Sequence, residues 1–261
     1  AELARVLHPG ATLLGGGTDL GLVVTKQLRD LDGIVYLGNV AELKKIEDQG
    51  SFLEIGGAVT YTQAHAALAA IHPDIGELLR RLGGAQVRAC GTIAGNIANG
   101  SPIGDSMPFL LALGATVLLQ NGEAQRVVAL ENFYTGYRKS VLQPAEFIRS
   151  VRVPKLARGA RFAAYKISKR FDQDISAVCA AFYADGAKAR FGFGGMAATP
   201  SRAPRAEAAF AHGIEAACVA LAEDFKPLSD PRASAWYRLS VAQNLLRKFA
   251  RGASSTEIFK L

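Results

Sequence analysis

The chain has 261 residues, 49% of them hydrophobic and 20% charged, which is enough for one large or two modest domains with apolar cores. No apolar stretch is as long as a bilayer span, and the start of the chain has no secretory signal pattern, so we expect a cytoplasmic protein that does not enter membranes. The net charge of +7 is spread along the sequence, without one basic face interleaved with aromatic residues, which argues against nucleic acid as a partner.

The first half of the sequence alternates short apolar runs with helical patterns, as in an α+β fold. Residues 2–7 are predicted to end a helix, so the chain is expected to begin inside a fold whose preceding strand is missing. A short buried strand is predicted next, at 11–14. Further strands are predicted at 34–37, 52–56, 115–120, 126–130 and 147–153, and helices at 62–70, 75–82 and 107–113.

Pro154 and the polar stretch after it form the best candidate domain boundary, which divides the chain into residues 1–154 and 155–261. Beyond it, strands at 161–168, 176–183 and 187–196 are predicted to form a meander, followed by helices at 205–211, 214–223 and 233–250. Trp236 and Tyr237 are expected to be core residues of the last helix. Three strands followed by helices make an α+β domain in its own right.

The most informative feature is a run of three glycines directly after the first predicted strand, in the sequence LGGGTD at 14–19. Without Cβ atoms, such a turn can direct its N–H groups at an anion such as a diphosphate, and Thr18 adds a hydroxyl donor. No lysine follows the glycines as it does in a Walker phosphate loop, and the match to the dinucleotide-binding fingerprint is weak. By itself the run also fits an ordinary tight turn.

A second segment rich in small residues, GTIAGNIANGSPIGD at 91–105, has the same character. Its hydroxyl and amide side chains alternate with glycines that leave the main chain accessible. We expect these two segments to be loops that clasp one long phosphorylated cofactor. Asp19 and Asp105 could also cap the helices that follow them.

The cysteines and histidines show no pattern of a metal or catalytic site. Cys90, Cys179 and Cys218 are isolated in the sequence, which predicts neither a disulfide framework nor a cluster site, and each is expected to be a small buried residue. The four histidines have no metal-ligand spacing and no nucleophile partner. We therefore predict no metal ligands and no side chain that acts as a catalytic acid or base.

Three more motifs follow in the second half: KISKR at 166–170 with DI at 174–175, FGGMA at 193–197, and YR at 237–238. Together with the two glycine-rich segments, they resemble the FAD-binding part of the molybdenum hydroxylases in the same order. The resemblance is strongest to the small subunit of bacterial xanthine dehydrogenases. It implies a two-part FAD-binding domain of the vanillyl-alcohol oxidase type, followed by a small domain of three strands and helices like that of the CO dehydrogenase flavoprotein.

The resemblance also implies which residues bind FAD. Ile148 matches an apolar residue near the flavin or adenine, and Lys166 matches a basic residue that contacts the cofactor, although a solvated strand lysine is the alternative interpretation. The cofactor-binding residues implied for the first segment are Leu14, Gly15, Gly16, Gly17, Thr18 and Asp19, and those for the second are Thr92, Gly95, Asn96, Asn99, Ser101 and Asp105.

In such enzymes a flavin passes electrons onward, and the protein supplies position, electrostatics and access. The resemblance implies that molybdopterin in a large subunit takes electrons from xanthine or hypoxanthine, that [2Fe–2S] clusters in partner domains relay them, and that FAD on this chain passes hydride to NAD⁺. Gln173 stands where mammalian relatives have an acidic residue, which leaves open whether NAD⁺ or oxygen is the acceptor.

Three alternatives remain at this point. No cluster-binding cysteines precede the flavin region, so the chain could be a fragment or a separate subunit, including one of an enzyme that oxidises carbon monoxide, an aldehyde, nicotine or 4-hydroxybenzoyl-CoA. It could also be a self-sufficient flavin oxidoreductase. A non-enzymatic protein that has lost the flavin is a third and weaker hypothesis.

Overall fold

The structure, a computed structural model, describes residues 10–186 and 188–253. The predicted helix end at 2–7 and the strand residue Ala187 therefore lie outside the described residues. The strands form two antiparallel sheets and two smaller pairs, and helices pack on both sheets. The predicted α+β class is confirmed.

The described chain begins with a small parallel unit. Strand β1 (Thr12–Leu14) pairs with β2 (Ile34–Tyr36), with Thr12 opposite Ile34, and helix α1 (Leu20–Thr25) lies in the connection between them. None of the residues of α1 is buried. The turn that leads from β1 into α1 contains the three glycines.

A five-stranded antiparallel sheet follows, and its central strands form the floor of the first core. Its members are β3 (Ile46–Asp48), β4 (Phe52–Gly56), β5 (Thr116–Asn121), β6 (Ala124–Ala129) and β9 (Phe147–Pro154), in the order β3-β4-β9-β5-β6. In the sequence, a small hairpin of β7 (Tyr134–Gly136) and β8 (Lys139–Ser140) lies between β6 and β9.

Helices between β4 and β5 cover this sheet and carry the second predicted segment. They are α2 (Tyr61–Ile71), α3 (Pro73–Arg80), α4 (Ala85–Cys90), α5 (Ile93–Asn99) and α6 (Ser106–Leu113). Thr60 and Gln63 form a capping box at the start of α2, because each side chain bonds the backbone N–H of the other residue. All eight residues of α6 are buried, as expected of a helix that is almost entirely apolar.

The C-terminal part is a four-stranded meander with helices on one face. The strands are β10 (Arg161–Ile167), β11 (Val178–Asp185), β12 (Lys188–Gly194) and the two-residue β13 (Ser201–Arg202), and the helices are α7 (Pro204–Ala209), α8 (Ile214–Asp224) and α9 (Ala235–Ala250). The three long strands match the predicted meander. Strand β13 was not predicted.

The meander sheet lies between two cores, because alternate residues of a strand face opposite sides. Phe162 and Ala164 of β10 pack into the first core with α6, whereas Ala163 and Tyr165 pack with the C-terminal helices. Helix α6 contacts both β11 and β12. The first half of the chain and the C-terminal part therefore share one apolar layer, and the cleft described next lies beside it.

Three expectations from the sequence were wrong. Residues 93–99 form a helix where a loop was expected, and Cys90 is exposed. Trp236 and Tyr237 lie in the first turn of α9, where they are 76% and 40% exposed instead of forming core contacts. The residues of α9 that are buried lie further along, and include Leu245, Leu246 and Phe249.

Candidate functional site

The glycine turn after β1 is in direct contact with the backbone that leads into the second segment. Gly17 has a φ of +74°, a left-handed conformation that glycine adopts without strain. A Cβ atom on Gly16 would lie 1.9 Å from the carbonyl oxygen of Cys90, so only glycine fits there without a shift of the backbone. The two predicted anion-binding segments are thus joined at this contact.

Thr92 begins the second segment and caps helix α5. Its hydroxyl accepts a hydrogen bond from the backbone N–H of Gly95 at 3.0 Å. A Cβ atom on Gly15 would lie 3.1 Å from the same hydroxyl oxygen. Ser106 donates a hydrogen bond of 2.7 Å to the side-chain oxygen of Asn96, which holds that amide toward the start of α6.

Both segments line a cavity of about 510 Å³. The lining includes the three glycines of the turn and apolar residues such as Leu82 and Val87. A second cavity, of about 340 Å³, adjoins the first, since the two share Asp19, Leu82, Asn96 and Asn99. Together they form one elongated cleft of the size that proteins use for cofactors.

Most of the residues implied by the resemblance lie on this cleft. Gln173, Asp174 and Ile175, in the connection between β10 and β11, also line the second cavity. The implied residues that line the first cavity are Gly15, Gly16, Gly17, Thr18, Asp19, Thr92, Gly95, Asn96 and Asn99. The implied residues that line only the second cavity are Ser101, Asp105 and Lys166. Their contacts with a cofactor remain predictions.

Leu14 and Ile148 line neither cavity. Leu14 is the last residue of β1, and its side chain lies 3.4 Å from the position that a Cβ of Gly17 would take. Ile148 lies in β9 opposite Leu119, is 5% exposed and belongs to the first core. The structure therefore places both residues in support of the surrounding fold, and it does not bring them to the cleft.

Lys166 and Asp105 form a buried ion pair at the floor of the second cavity. The Lys166 ammonium lies 2.5 Å from one carboxylate oxygen of Asp105, and the lysine side chain is 1% exposed. Ser176 donates a hydrogen bond of 2.5 Å to the other oxygen, and Lys166 also donates to the carbonyl of Arg81 at 3.1 Å. The interpretation of Lys166 as a solvated strand lysine was wrong.

Neither acidic residue that was considered as a helix cap forms one. Asp105 precedes α6 and Asp19 precedes α1, yet neither side chain bonds a backbone N–H of its helix. The carboxylate of Asp105 bonds Lys166 and Ser176 instead. These contacts connect the first half of the chain to β10 and to the residue stretch before β11.

Two other polar groups near the cleft stay protonated because they are buried. Burial raises the pKa of Tyr61, whose hydroxyl lies 2.9 Å from that of Ser106. Burial also raises the pKa of the Cys179 thiol, which donates to the carbonyl of Asp105 at 3.6 Å. Neither pKa moves toward neutral pH, so these two groups are suited to hydrogen bonding and packing in their neutral forms.

Sequence reasoning missed several residues of the cleft. Tyr61, Leu82 and Val87 line the first cavity, as does Arg138 from the distant β7–β8 hairpin. Of these residues, only Leu82 belonged to a predicted helix, and Tyr61 and Val87 had no predicted role. Nothing in the sequence pattern around Arg138 indicated a ligand contact, because its position depends on how the hairpin packs.

The described part of the chain contains neither a candidate metal site nor a membrane-spanning helix. Within residues 10–186 and 188–253, no three His, Cys, Asp or Glu side chains are grouped so that they could hold a metal ion. In those same ranges, no helix has both the length and the apolar character needed to cross a bilayer.

Comparison with known families divides the chain into two matched regions. Residues 1–156 match the family described as FAD binding domain in molybdopterin dehydrogenase. Residues 163–253 match the family described as CO dehydrogenase flavoprotein C-terminal domain. The first match covers the glycine turn and helix α5, and the second covers most of the meander and its helices.

Two characterised relatives differ in how much of their length they share with this chain. A xanthine dehydrogenase of Emericella nidulans is 32% identical in an alignment 273 residues long, which covers 94% of this chain and 20% of the relative. The chain thus spans about a fifth of that enzyme. The carbon monoxide dehydrogenase medium chain of Afipia carboxidovorans is 31% identical over 267 residues, which cover 97% of this chain and 92% of the relative.

Solved structures show the same architecture. A chain of the Cu,Mo-CO dehydrogenase matches with a TM-score of 0.82 and 29% identity, over 92% of this chain and 88% of the other. A chain of quinoline 2-oxidoreductase from Pseudomonas putida 86 matches with a TM-score of 0.83 and 26% identity, over 96% and 93%. The expected resemblance and fold are thereby confirmed. The chain belongs to the FAD-binding domain family of molybdopterin dehydrogenases, the flavoprotein module of the molybdenum hydroxylases.

Proposed function

We propose that this chain holds FAD in the cleft between the glycine turn and helix α5, and serves as the electron-transfer module of a cytoplasmic xanthine dehydrogenase. Xanthine or hypoxanthine would be oxidised at molybdopterin in a large subunit, and [2Fe–2S] domains would relay the electrons to this chain. The contact between Gly16 and Cys90 carries the cofactor assignment, because it joins two amide-rich segments around one cavity.

The described residues fit FAD. The turn of three glycines lines the first cavity and lies against the backbone at Cys90, and the main-chain N–H groups of such a turn suit a diphosphate. The apolar side chains of Leu82 and Val87 provide a wall for a flat ring system. The length of the cleft, with two cavities in succession, suits a dinucleotide better than a mononucleotide.

In the proposed complex, the main-chain amides of Gly15, Gly16 and Gly17 and the hydroxyl of Thr18 would bind the diphosphate. Asn96 and Asn99 would donate side-chain hydrogen bonds where the two cavities meet. Leu82 would shield the bound group from water. Bound FAD supplies a group that accepts electrons one at a time or as a hydride.

We infer NAD⁺ as the acceptor, which is what the resemblance to xanthine dehydrogenases implies. Gln173 lines the second cavity and has a left-handed φ of +51°, and its side chain is neutral. Gln173 itself would impose no repulsion on an anionic dinucleotide that approaches the cleft, and the carboxylate of the neighbouring Asp174 is paired with Arg170 and Arg232.

A second candidate is the flavoprotein subunit of a carbon monoxide dehydrogenase or a related hydroxylase. This chain corresponds to 92% of the length of the medium chain of that enzyme, whereas it matches a fifth of the xanthine dehydrogenase. The match to nearly the whole of that medium chain is the observation that favours this candidate.

Titration of the purified chain with FAD tests the cofactor assignment. We expect saturable binding, and we expect the flavin, detected by its absorbance at about 450 nm, to stay with the protein on gel filtration. A folded chain that remains colourless would contradict the assignment.

Anaerobic addition of NADH to the FAD-loaded chain tests the acceptor, since a pathway to NAD⁺ must also run in reverse. Bleaching of the flavin band by NADH, but not by NADPH, is the expected result.

Copurification of the natural partners, followed by assays with xanthine and with carbon monoxide, would decide between the two candidate complexes.

A further inference from the structure

The tip of the β7–β8 hairpin places an arginine on the first cavity. Arg138 lines the same cavity as the glycine turn and Asn99, although it lies some forty residues beyond α5 in the sequence. Asp19 is the other charged residue on that cavity. An anion bound against the glycine turn would therefore meet a single guanidinium among the described residues of the lining.

The hairpin that carries Arg138 is fixed to helix α5. The hydroxyl of Tyr134, at the base of the hairpin, donates to the carbonyl of Ile97 at 3.0 Å. The ring of Tyr134 lies 3.1 Å from where a Cβ of Gly100 would be, and Gly100 ends α5 with a φ of +61°. Phe133, directly before the hairpin, is fully buried. The tip is thus held against the helix that forms the opposite part of the site.

Within residues 10–186 and 188–253, no carboxylate forms an ion pair with the guanidinium of Arg138. Among the described residues, the guanidinium contacts the ring of Tyr137, whose centre lies 5.6 Å from the guanidinium carbon. Arg126, by contrast, forms a bidentate ion pair with Glu146, in which two guanidinium nitrogens each lie 2.7 Å from a carboxylate oxygen. Lys166, the other cation on the cleft, is already paired with Asp105. Arg138 is consequently the cation of the cleft that is available to a ligand.

The backbone of Arg138 is strained. Its φ is +53°, in the left-handed region that residues with a Cβ atom adopt rarely. Strain of this kind is concentrated at binding sites, where the surrounding structure holds it in place. A glycine would relieve the strain but would also remove the guanidinium.

We propose that Arg138 binds the diphosphate of the flavin cofactor together with the glycine turn, and that this contact favours phosphorylated flavins over riboflavin. The inference rests on the proposed function, because it needs a flavin nucleotide in the first cavity. Hydrogen bonds between a guanidinium and phosphate oxygens are charge-assisted and stronger than those between neutral groups. The main-chain amides would orient the diphosphate, and Arg138 would balance its charge.

The test measures dissociation constants for FAD, FMN and riboflavin by flavin fluorescence, with the wild-type chain and the variants Arg138→Gln and Arg138→Gly. We expect FAD to bind both variants roughly tenfold more weakly than the wild type. The affinity for FMN should also fall, and the affinity for riboflavin should not change. The affinity of the wild-type chain for FAD should fall more steeply with salt concentration than that of Arg138→Gln. Arg158→Gln is the matched control, since Arg158 is exposed and lies outside both cavities.

Thermal unfolding separates binding from structure. Arg138→Gly should unfold at the same or a higher temperature than the wild type, because glycine tolerates the positive φ. A variant that is equally stable but binds FAD poorly supports the inference. Equal FAD affinity and equal salt dependence in the wild type and Arg138→Gln would overturn it while the proposed function stands. Absence of FAD binding by the folded wild-type chain would overturn both.

Discussion

Gly16 is under the tightest steric constraint on the cleft. In Gly16→Ala the new methyl group would meet the carbonyl of Cys90, so the turn or α4 must move. We expect a loss of about 1–3 kcal/mol in the free energy of unfolding, typical of overpacking, together with weaker FAD binding. Urea unfolding and FAD titration measure the two effects.

Gly21→Ala is the matched control for that substitution. Gly21 lies in α1, and a Cβ there meets nothing within 4 Å. Alanine favours a helix over glycine by up to about 1 kcal/mol, so this variant should be as stable as the wild type or more so. Equal behaviour of the two alanine variants would show that the Gly16 contact is not required.

His72 links stability to pH. Burial lowers the pKa of His72, although the nearby Asp74 partly opposes the shift. The folded state therefore prefers the neutral imidazole, whose Nδ1 accepts from the backbone N–H of Asp74 at 3.2 Å. The stabilising contribution is present above the pKa of the unfolded chain, about 6.5, and is lost as the pH falls through the lower pKa of the folded state.

His72→Asn tests this dependence, because asparagine keeps a capping oxygen for α3 and does not titrate. We expect the melting temperature of the wild type to fall between pH 7.5 and pH 5 by more than that of the variant. Parallel pH profiles for the two proteins would contradict the assignment to His72.

At the scale of residues, the sequence identified the members of the site better than their contacts. The glycine turn was recognisable because three adjacent glycines have few other uses. The pairing of Asp105 with Lys166 was not, since the two residues are 61 positions apart and meet only through the packing of α6 against the meander. Arg138 was missed for the same reason.

Helix α5 depends on its first residue. Thr92→Val keeps the shape of the side chain but removes the hydroxyl that accepts from Gly95. We expect a loss of about 1 kcal/mol in the free energy of unfolding, as for other N-caps. FAD affinity should also fall, because α5 carries Asn96 and Asn99 to the cleft. Thr92→Ser retains the hydroxyl and should restore most of the stability, and a serine variant as weak as the valine variant would contradict the capping role.

Elements with a simple apolar pattern were predictable, and α5 and the β7–β8 hairpin were not. Strands such as β4 and β9 contain enough apolar residues between their polar ones to be recognised. The sequence of α5 contains glycine and asparagine, which have low helix propensity, and the helix forms because its cap and its buried face outweigh that preference. The hairpin turn at 137–138 lacks the usual glycine or asparagine.

The ion pair between Lys166 and Asp105 connects the two halves of the molecule. Lys166→Met would leave the carboxylate of Asp105 buried without its cation, at a cost of about 3–5 kcal/mol in the free energy of unfolding. Urea unfolding measures it, and adding Asp105→Asn to the same protein should recover part of the loss. Lys155→Met is the control, since Lys155 pairs with Asp48 at 2.7 Å on the surface and little change is expected. Equal effects of the two lysine substitutions would contradict the structural role of the buried pair.

The boundary at 154/155 stays a prediction, and the shared core bears on how it is tested. Phe162, Ala164, Cys179 and Ala181 of the meander pack into the first core, with residues of α6. Separation of the chain at the predicted boundary would expose this apolar layer to water. We therefore expect the intact chain to unfold in a single cooperative transition. The sequence could suggest two domains from their element patterns, but not that they share a core.

The position of Trp236 has a practical consequence for measurements on this protein. It is the single tryptophan of the chain, and its indole is mostly in water in the native state. Its emission wavelength should hardly change on denaturation, so intrinsic fluorescence would be a poor monitor of the stability experiments. A subunit that covered the start of α9 would instead shift this emission to the blue, which makes the native indole a label-free reporter of assembly.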